Sequence, residues 1–428
     1  MKRASAILVL AAIVVAGVFA QKVPTVTKPV TIQIWHSRGA GANGDMIAAS
    51  VKEFNQTNPY GITVVETFQG NYATCLAKVM QGVAAGNNPA LTVLDSAVAS
   101  PYMAEEGMLV DLLPFMQRDK VDSNNFIDTF MIHSKFKGQV VTLPYVRSGL
   151  VFYYNADMLK EAGLQPPKTI KEMEKVAKAL TKVENGKTVR YGLMVHNETW
   201  IHQNWSYQLG SNYFSKDGKS SPFLEDGTML KVLKEWKRWI DEGWCAAPAV
   251  TDEQNDERTR FYQGKIAMFL NSSGSLSGIL KSSKFNVGVS LPPSFSDVQS
   301  TCAGGGNIAM LAPNTSPNEQ AAAWEFIKFL MTEKQVATNS IMTGYLPMLK
   351  SSINDPDLKE YWKTVPQAKV CYENLRNFGQ AVPWTTKYSE LDQYVLQITS
   401  KLIKDGSVTP EQAYKEMQTE AKIVFGSK

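Results

Sequence analysis

The chain has 428 residues, more than one compact core usually organises, so its length suits two domains. It carries 44 Lys and Arg against 40 Asp and Glu, interspersed without a long basic run, which argues against nucleic acid as a partner. The cysteines and histidines lack the spacing of a metal site, so we predict no metal and no cofactor. In an oxidising compartment the four cysteines could form up to two disulfides, in any of three pairings. The cysteines are Cys75, Cys245, Cys302 and Cys371, and the histidines are His36, His133, His196 and His202.

The N-terminal segment predicts export. Lys2 and Arg3 precede an apolar run, and small residues lead up to Ala20, where a signal peptidase would cleave. The run is shorter than the roughly 20 residues that span a bilayer. No cysteine follows the cleavage point to carry a lipid. We therefore expect residues 1–20 to be removed and the remainder to be a soluble periplasmic protein.

Strand and helix patterns alternate along the rest of the chain, without a repeat or a low-complexity linker. Apolar periodicity predicts strands at 31–37, 61–68, 90–96, 139–146, 149–159, 265–271, 285–293 and 307–313. It predicts helices near 45–55, 73–85, 170–182, 229–242, 317–341 and 409–424. This alternation predicts an α/β fold with mostly parallel sheets.

A glycine-rich loop follows the first predicted strand. Gly39, Gly41 and Gly44 have the formal spacing of a dinucleotide fingerprint, with Glu66 further on. Ser37 and Arg38 separate the strand from the first glycine, and an exported protein meets little NAD. We favour a flexible turn at the mouth of a cleft, where helix N-terminal amides can accept an anion or a hydroxyl oxygen.

The sequence contains no recognisable motif of a hydrolase active site. The serine-rich stretch 271–278 follows a predicted strand, but Leu276 stands where a nucleophile elbow needs its serine. Helix capping and hydroxyl donation to a ligand are both open interpretations of these serines.

Aromatic side chains are concentrated in polar surroundings. Trp200 and Trp205 lie among Asn, Gln and His, and Trp384 lies in AVPWTTKY. Sugar and polyol C–H faces stack on aromatic rings, while their hydroxyls need polar partners. This pattern favours a wet binding pocket, although a single Trp is more often part of a core.

Several short motifs together resemble one family. They are WHS at 35–37, QGNY at 69–72, FYYNADMLKEAGL at 152–164, QPPKT at 165–169, FYQGKIAM at 261–268, SSGSL at 272–276, FNVGV at 285–289 and TGYLP at 343–347. In these the chain resembles the extracellular solute-binding proteins of bacterial ABC importers, in the branch that binds sugars, oligosaccharides and glycerol phosphates. Within this branch the resemblance is greatest to receptors for glycerol 3-phosphate and glycerophosphodiesters.

The resemblance implies a two-lobed periplasmic-binding-protein fold of type II with the ligand cleft between the lobes. We expect residues 28–146 and 290–338 in lobe 1 and residues 147–289 and 339–428 in lobe 2. We expect chain crossings near 145–149, near 286–294 and near TGYLP. In this family the TGYLP bend presents its tyrosine to the ligand, and Pro347 would stiffen the turn.

The resemblance also carries ligand contacts onto particular residues. An aspartate can accept two hydroxyls, Tyr and Ser can donate to phosphate or hydroxyl oxygens, Trp can stack, and Gly lets a backbone amide approach. The implied contact residues are Tyr72, Asp95, Ser148, Trp200, Ser272, Gly306 and Tyr345.

The chain departs from the family's pattern at the proposed pocket. Asp95 stands where the family often has Glu, and Asn197 aligns with a second pocket Trp, which implies a more open pocket. Thr385 aligns with the Arg that holds phosphate in glycerol phosphate binders, and Thr cannot imitate a bidentate fork. Lys387 or Arg147 could replace that charge.

We therefore expect a non-enzymatic, monomeric receptor that closes over glycerol 3-phosphate or a glycerophosphodiester and docks on an ABC permease in the inner membrane. A neutral sugar or oligosaccharide receptor of the same class is the alternative. A secreted glycosidase or phosphodiesterase is more remote, because no second catalytic carboxylate or metal set can be named.

Overall fold

A computed structural model describes residues 23–248 and 253–426. The predicted signal peptide lies outside the described residues. The helices are α1 (Ala42–Thr57), α2 (Tyr72–Ala85), α3 (Ala99–Glu105), α4 (Leu113–Asp119), α5 (Asp128–Met131), α6 (Ala156–Glu161), α7 (Ile170–Leu180), α8 (Thr199–Gln208), α9 (Pro222–Glu225), α10 (Thr228–Asp241), α11 (Glu253–Tyr262), α12 (Leu276–Ser282), α13 (Pro317–Leu330), α14 (Glu333–Thr343), α15 (Pro356–Thr364), α16 (Pro366–Phe378), α17 (Tyr388–Ser400) and α18 (Pro410–Phe425).

The strands are β1 (Val30–His36), β2 (Ile62–Phe68), β3 (Leu91–Asp95), β4 (Lys135–Phe136), β5 (Gln139–Val140), β6 (Leu143–Asn155), β7 (Lys182–Glu184), β8 (Lys187–Arg190), β9 (Leu193–Met194), β10 (Cys245–Ala246), β11 (Met268–Ser272), β12 (Val287–Ser290), β13 (Thr301–Met310) and β14 (Gly379–Gln380). Short 3₁₀ turns occur at Ser123–Asn125, Ile132–Ser134, Ser273–Ser275 and Ser351–Asn354, and a π turn at Lys401–Asp405.

A mixed sheet runs through the whole molecule. Its strand order is β10-β9-β11-β6-β13-β3-β1-β2, with β12 also paired to β6 and β14 to β13. The pairs at the two ends are parallel, namely β1 with β2 and β3, and β9 with β10 and β11. The central pairs are antiparallel, since β13 pairs so with both β3 and β6, and β6 with β11. The prediction of mostly parallel pairing therefore holds at the ends of the sheet, and in the middle only for the short pair of β13 with β14.

Two long strands join the two halves of this sheet. The first half of β6 pairs with β13, up to Gly149, and its second half pairs with β11 from Leu150 onward. The strand β13 pairs with β6 and, from Gly306, also with β3. These strands cross between the two lobes, and a cleft lies where they cross. The exact lobe boundaries remain a prediction.

Apolar clusters pack along the whole sheet. One cluster includes Ile34 and Leu91 near one end and extends to Phe269 near the other, and a second cluster includes Trp236 and Leu391. Burial of such side chains contributes about 25 cal/mol per Å² of apolar surface.

All four cysteines lie in the described part of the chain, and all four are buried and free. Among the described residues, no helix is long and apolar enough to cross a membrane.

Candidate functional site

A cleft of about 830 Å³ opens where β3, β6 and β13 meet the first turns of several helices. A smaller cavity of about 310 Å³ adjoins it beside the glycine loop at 39–42. The walls of both cavities include Ser37, Arg38, Asn43, Arg258, Gly274 and Ser275. The two spaces therefore form one extended cleft, of the size that binds a drug-sized ligand, for which pockets are typically about 300–1,000 Å³.

Six of the seven predicted contact residues line the larger cavity. They come from distant parts of the sequence and are Tyr72, Asp95, Ser148, Trp200, Ser272 and Tyr345. Gly306 instead lies behind the wall, paired with Asp95 across β13 and β3. A Cβ atom on Gly306 would lie 2.8 Å from the Tyr72 hydroxyl and 2.8 Å from the Leu94 carbonyl oxygen. This glycine therefore leaves room for Tyr72 at the cleft.

The TGYLP segment forms a bend at the end of α14. Gly344 adopts φ +96°, a left-handed conformation that favours glycine, and its N–H donates to the Ser340 carbonyl. The Thr343 hydroxyl accepts from the Tyr345 N–H at 3.0 Å, and the Leu346 N–H donates to the Arg147 carbonyl on β6. These bonds fix Tyr345 with its ring on the cleft wall.

Asp95 ends β3 and caps the turn that follows it. Its Oδ1 atom accepts from the backbone N–H groups of Ala97 and Val98 at 2.9 and 2.8 Å. Burial raises the pKa of this carboxyl, while these two amides and the guanidinium of Arg147 act in the opposite direction. One carboxylate oxygen is thus held by the protein, and the carboxyl lies on the cleft wall for a ligand hydroxyl.

Arg38 lies on the walls of both cavities, and sequence reasoning did not select it. Only 9% of this side chain is exposed. Its guanidinium donates to the Tyr345 hydroxyl and to Ser37 Oγ, and it lies 4.6 Å from the centre of the Tyr72 ring. Its Nε atom is buried without a hydrogen-bond partner, and the described residues supply no carboxylate for an ion pair. A buried cation in this situation is costly unless an anion joins it.

The first turn of α1 lies beside Arg38. Gly41 precedes the helix with φ +96°, and no side chain caps the first amides. Ala42 and Asn43 line the smaller cavity together with Arg258 from α11. The positive end of a helix dipole and two guanidinium groups therefore face the same space, which suits a negatively charged ligand group.

The two cations considered from sequence lie elsewhere. Arg147 is fully buried behind the wall, donates to Asn307 Oδ1 at 3.2 Å and lies over the Phe130 ring. Burial lowers the pKa of Arg147 to about 10, and Asp95 opposes that effect. Lys387 is partly exposed and pairs with Glu390 at 3.4 Å. Neither side chain lines the cavity walls described above. The buried Thr385 hydroxyl donates to the Gly218 carbonyl.

A buried polar network supports the wall from below. The imidazole Nδ1 of His196 lies 2.9 Å from Glu257 Oε2, which also accepts from Asn271 Nδ2 at 2.9 Å. Each member immediately precedes a residue on the cleft wall, namely Asn197, Arg258 or Ser272. The network therefore joins three wall segments at one buried centre, where the low dielectric strengthens the interaction between the imidazole and the carboxylate.

The sequence contained one usable signal for Arg38. Polar residues at the carboxyl end of a strand commonly face a ligand crevice in α/β proteins. Ser37 and Arg38 occupy that position. At the level of sequence they served only as evidence against a dinucleotide motif, because they separate the strand from the first glycine. Arg258 lies in the polar first part of α11, where no pattern separates it from solvated neighbours.

Comparison with known proteins decides the family. Residues 49–367 match the family model described as bacterial extracellular solute-binding protein. The chain belongs to this family. It is the solute-binding component of an ABC importer, as its resemblance predicted.

Named relatives and solved structures agree with this membership. The chain is 27% identical over 407 residues to the sn-glycerol-3-phosphate-binding periplasmic protein UgpB of Escherichia coli K12, with 90% of each chain covered. The crystal structure of UgpB from Mycobacterium tuberculosis in complex with glycerophosphocholine matches with a TM-score of 0.82 at 22% identity, covering 94% of this chain and 99% of that one. An ABC substrate-binding protein from Listeria monocytogenes in complex with cycloalternan matches with a TM-score of 0.81 at 21% identity, covering 94% and 100%. The two-lobed α/β fold is therefore confirmed.

Proposed function

We propose that this family member captures glycerol 3-phosphate or a glycerophosphodiester in the periplasm and delivers it to an ABC permease. The observation that carries the proposal is Arg38, a buried guanidinium on the cleft wall that the described residues leave without a carboxylate. A ligand phosphate supplies the missing anion. The E. coli relative named for binding sn-glycerol 3-phosphate supports the same ligand class.

The phosphate is assigned to Arg38 and Arg258 in preference to Arg147 and Lys387. The first two line both cavities, beside the amides at the start of α1. Guanidinium groups bind phosphate through paired N–H donors, so two of them from different elements form a strong clamp. This clamp replaces the Arg that the family pattern places at Thr385.

The glycerol part of the ligand is assigned to the predicted wall residues. Asp95 accepts hydroxyls, and Tyr72, Ser148, Ser272 and Tyr345 donate to oxygens. Trp200 covers the C–H face. The cleft is large for glycerol 3-phosphate alone, so a diester fills it better.

A neutral oligosaccharide is the second candidate. The Listeria monocytogenes protein, similar in fold, was solved with cycloalternan, and the cleft here has the volume and aromatic side chains that such a ligand uses. Against it stands Arg38, because a neutral sugar leaves the buried charge uncompensated.

Further features complete the proposal. The protein acts as a monomer, is exported by cleavage near Ala20 and performs no catalysis. Closure of the two lobes around the ligand creates the surface that the permease recognises.

A thermal-shift screen of the chain without residues 1–20 tests this function. A ligand that binds the native state raises Tm. We expect shifts with glycerol 3-phosphate and glycerophosphocholine, none with maltose, and no product after prolonged incubation. A shift with maltose alone contradicts the proposal in favour of the sugar receptor, and release of free choline or glycerol 3-phosphate from the diester reveals an enzyme.

A further inference from the structure

The serines of the turn at 272–275 form different hydrogen bonds. The hydroxyl oxygens of Ser272 and Ser273 each accept from a backbone N–H, at 3.1 and 3.2 Å. Ser275 stands where α12 begins, but its side chain caps none of the described amides of that helix. Its hydroxyl instead donates to Asn271 Oδ1 at 3.1 Å. The two interpretations of this serine-rich stretch, capping and ligand contact, therefore apply to different serines.

The side-chain amide of Asn271 has a fixed orientation. Only 1% of this residue is exposed. Its Oδ1 atom accepts from the Ser272 N–H at 2.7 Å, and its Nδ2 atom donates to Glu257 Oε2 at 2.9 Å. A backbone N–H is always a donor, so the amide atom that faces it has to be the oxygen. The orientation therefore holds in either protonation state of Glu257.

This orientation determines the polarity of the Ser275 hydroxyl. A hydroxyl has one hydrogen to donate and two lone pairs that accept. Because Asn271 Oδ1 is only an acceptor, Ser275 gives its single hydrogen to that atom. Its lone pairs remain for the cleft, and Ser275 lines both cavities. Ser275 therefore offers an acceptor to a ligand, whereas the other wall hydroxyls were assigned as donors.

The acceptor lies on the wall to which the phosphate is assigned. Arg38 and Arg258 also line both cavities. A fully ionised phosphate has no hydrogen to donate to Ser275, but the hydroxyl on the second carbon of a glycerol phosphate is close to the phosphate and has one. We propose that Ser275 is a specificity-determining residue that accepts a hydrogen bond from this second-carbon hydroxyl. The inference rests on the proposed function, since it places the hydroxyl beside the phosphate at Arg38 and Arg258.

Asn271 is the positioning residue of this arrangement. It has no place on the described cavity walls and acts by holding the hydrogen of Ser275 away from the ligand. Glu257 holds the other end of the amide, and His196 lies 2.9 Å from the same carboxylate oxygen. The buried network below the wall therefore sets the direction of a hydrogen bond at its surface.

A guanidinium N–H is the competing donor to Ser275. Arg38 and Arg258 share its two cavities, and Arg38 Nε is buried without a partner among the described residues. If such a group donates to Ser275, the serine only helps to hold a phosphate-binding cation. Its loss would then weaken all phosphate ligands alike, with or without the second-carbon hydroxyl.

Calorimetric titration with two matched phosphates separates these roles. The probes are glycerol 3-phosphate and 3-hydroxypropyl phosphate, which lacks only the second-carbon hydroxyl; a weakly binding analogue is measured by competition. In Ser275→Ala we expect the affinity for glycerol 3-phosphate to fall about threefold to tenfold, as for one hydrogen bond, and that for the analogue to be unchanged. Ser277→Ala, on α12 and outside the described cavity walls, should leave both affinities unchanged.

Asn271→Ala tests the positioning role. Without the Asn271 oxygen, the Ser275 hydroxyl can turn its hydrogen toward the phosphate, so the preference for glycerol 3-phosphate over the analogue should fall about threefold to tenfold. A merely structural role lowers both affinities in the same ratio and leaves the preference unchanged. If Asn271→Ala does not fold by circular dichroism, the Ser275→Ala comparison decides the inference.

The outcomes separate this inference from the function beneath it. An equal loss of affinity for both phosphates in Ser275→Ala, or no loss for either, overturns the hydroxyl contact and leaves the phosphate receptor standing. An unchanged preference in folded Asn271→Ala overturns the positioning role. Failure of the wild type to bind either phosphate overturns the proposed function together with the inference.

Discussion

At the residue scale, the guanidinium of Arg38 lies between two tyrosine rings, 4.6 Å from the centre of Tyr72 and 5.7 Å from that of Tyr345. Both rings belong to residues predicted from sequence, whereas the cation between them was not. The rings orient the guanidinium through cation–π contacts, and Ser37 accepts one of its N–H groups. The arrangement holds a positive charge ready for a ligand anion.

Replacing Arg38 by Gln should weaken binding of a phosphate ligand by about tenfold to a hundredfold, because a charge-assisted hydrogen bond contributes roughly 1.5–3 kcal/mol. Calorimetric titration with glycerol 3-phosphate measures this loss. Arg376→Gln, which removes an exposed arginine outside the cavity walls, is the matched control. Equal affinities for the two variants would remove Arg38 from the site.

Gly274 is a second residue at which small size matters. An added Cβ atom would lie 2.5 Å from Tyr345 Cε1, closer than real contacts allow, so the ring would have to move. Gly274→Ala should therefore reduce ligand affinity by about tenfold through displacement of the ring, with a smaller effect on Tm. Titration and thermal unfolding of the same preparation separate the two effects. A loss of Tm without a loss of affinity would assign Gly274 to folding alone.

At the element scale, the helices and strands predicted from sequence are largely present, and the differences have local causes. The runs at 139–146 and 149–159 were interpreted as two strands, but Leu143–Asn155 is a single strand. Arg147 and Ser148 look like an interruption, yet both are buried because β13 covers them. The pairing of β6 with β13 joins segments far apart in the sequence, so no local residue pattern predicts it.

The long helix predicted at 317–341 is two helices. Thr332 lies between them and caps the second, with its hydroxyl accepting from the Gln335 N–H. This is a recognisable N-cap signal that the apolar periodicity masked. The contact residues, by contrast, were predictable only through family resemblance, and the residues taken from that resemblance did not include Arg38 or Arg258.

Asp119, the last residue of α4, links this helix to α13 by accepting hydrogen bonds from charged and neutral side chains. It pairs with Arg118 at 2.7 Å and with Lys328 of α13 at 2.9 Å, and it accepts from Trp324 Nε1. The hydrogen bond from Arg118 holds the pKa of Asp119 well below its ordinary value. A carboxyl with a lowered folded-state pKa stabilises the protein above its unfolded pKa, about 3.9, and this contribution is lost as pH falls toward the folded value.

Asp119→Asn should therefore lower Tm by about 1–2 °C at pH 7, because roughly 1 kcal/mol shifts Tm by about 2–4 °C in a domain of about 150–250 residues and by less in a longer chain. Below pH 4 the difference in Tm between wild type and variant should shrink, because the unfolded wild type then binds a proton that the folded Asp119 does not, which reduces the stability contributed by the charge. Thermal unfolding at pH 7, 5 and 3 measures this. A constant difference over that range would show that Asp119 acts without its charge.

At the scale of the whole molecule, β6 and β13 cross between lobes, and the cleft walls combine residues from both sides of the crossing. Arg38 follows β1 at one end of the sheet, while Arg258 comes from α11, which packs at the other end beside β11. A phosphate bound by both would link the lobes and favour closure. Small-angle scattering should then show a smaller radius of gyration with ligand, and Arg258→Gln should reduce that change.

The most direct measurement is calorimetric titration of the chain lacking residues 1–20 with glycerophosphocholine and with maltose, each at low and high salt. The account predicts tight 1:1 binding of the diester that weakens as salt rises, because part of the affinity is electrostatic, and no heat with maltose. Binding of maltose without binding of the diester would contradict the account and place the protein among the neutral sugar receptors.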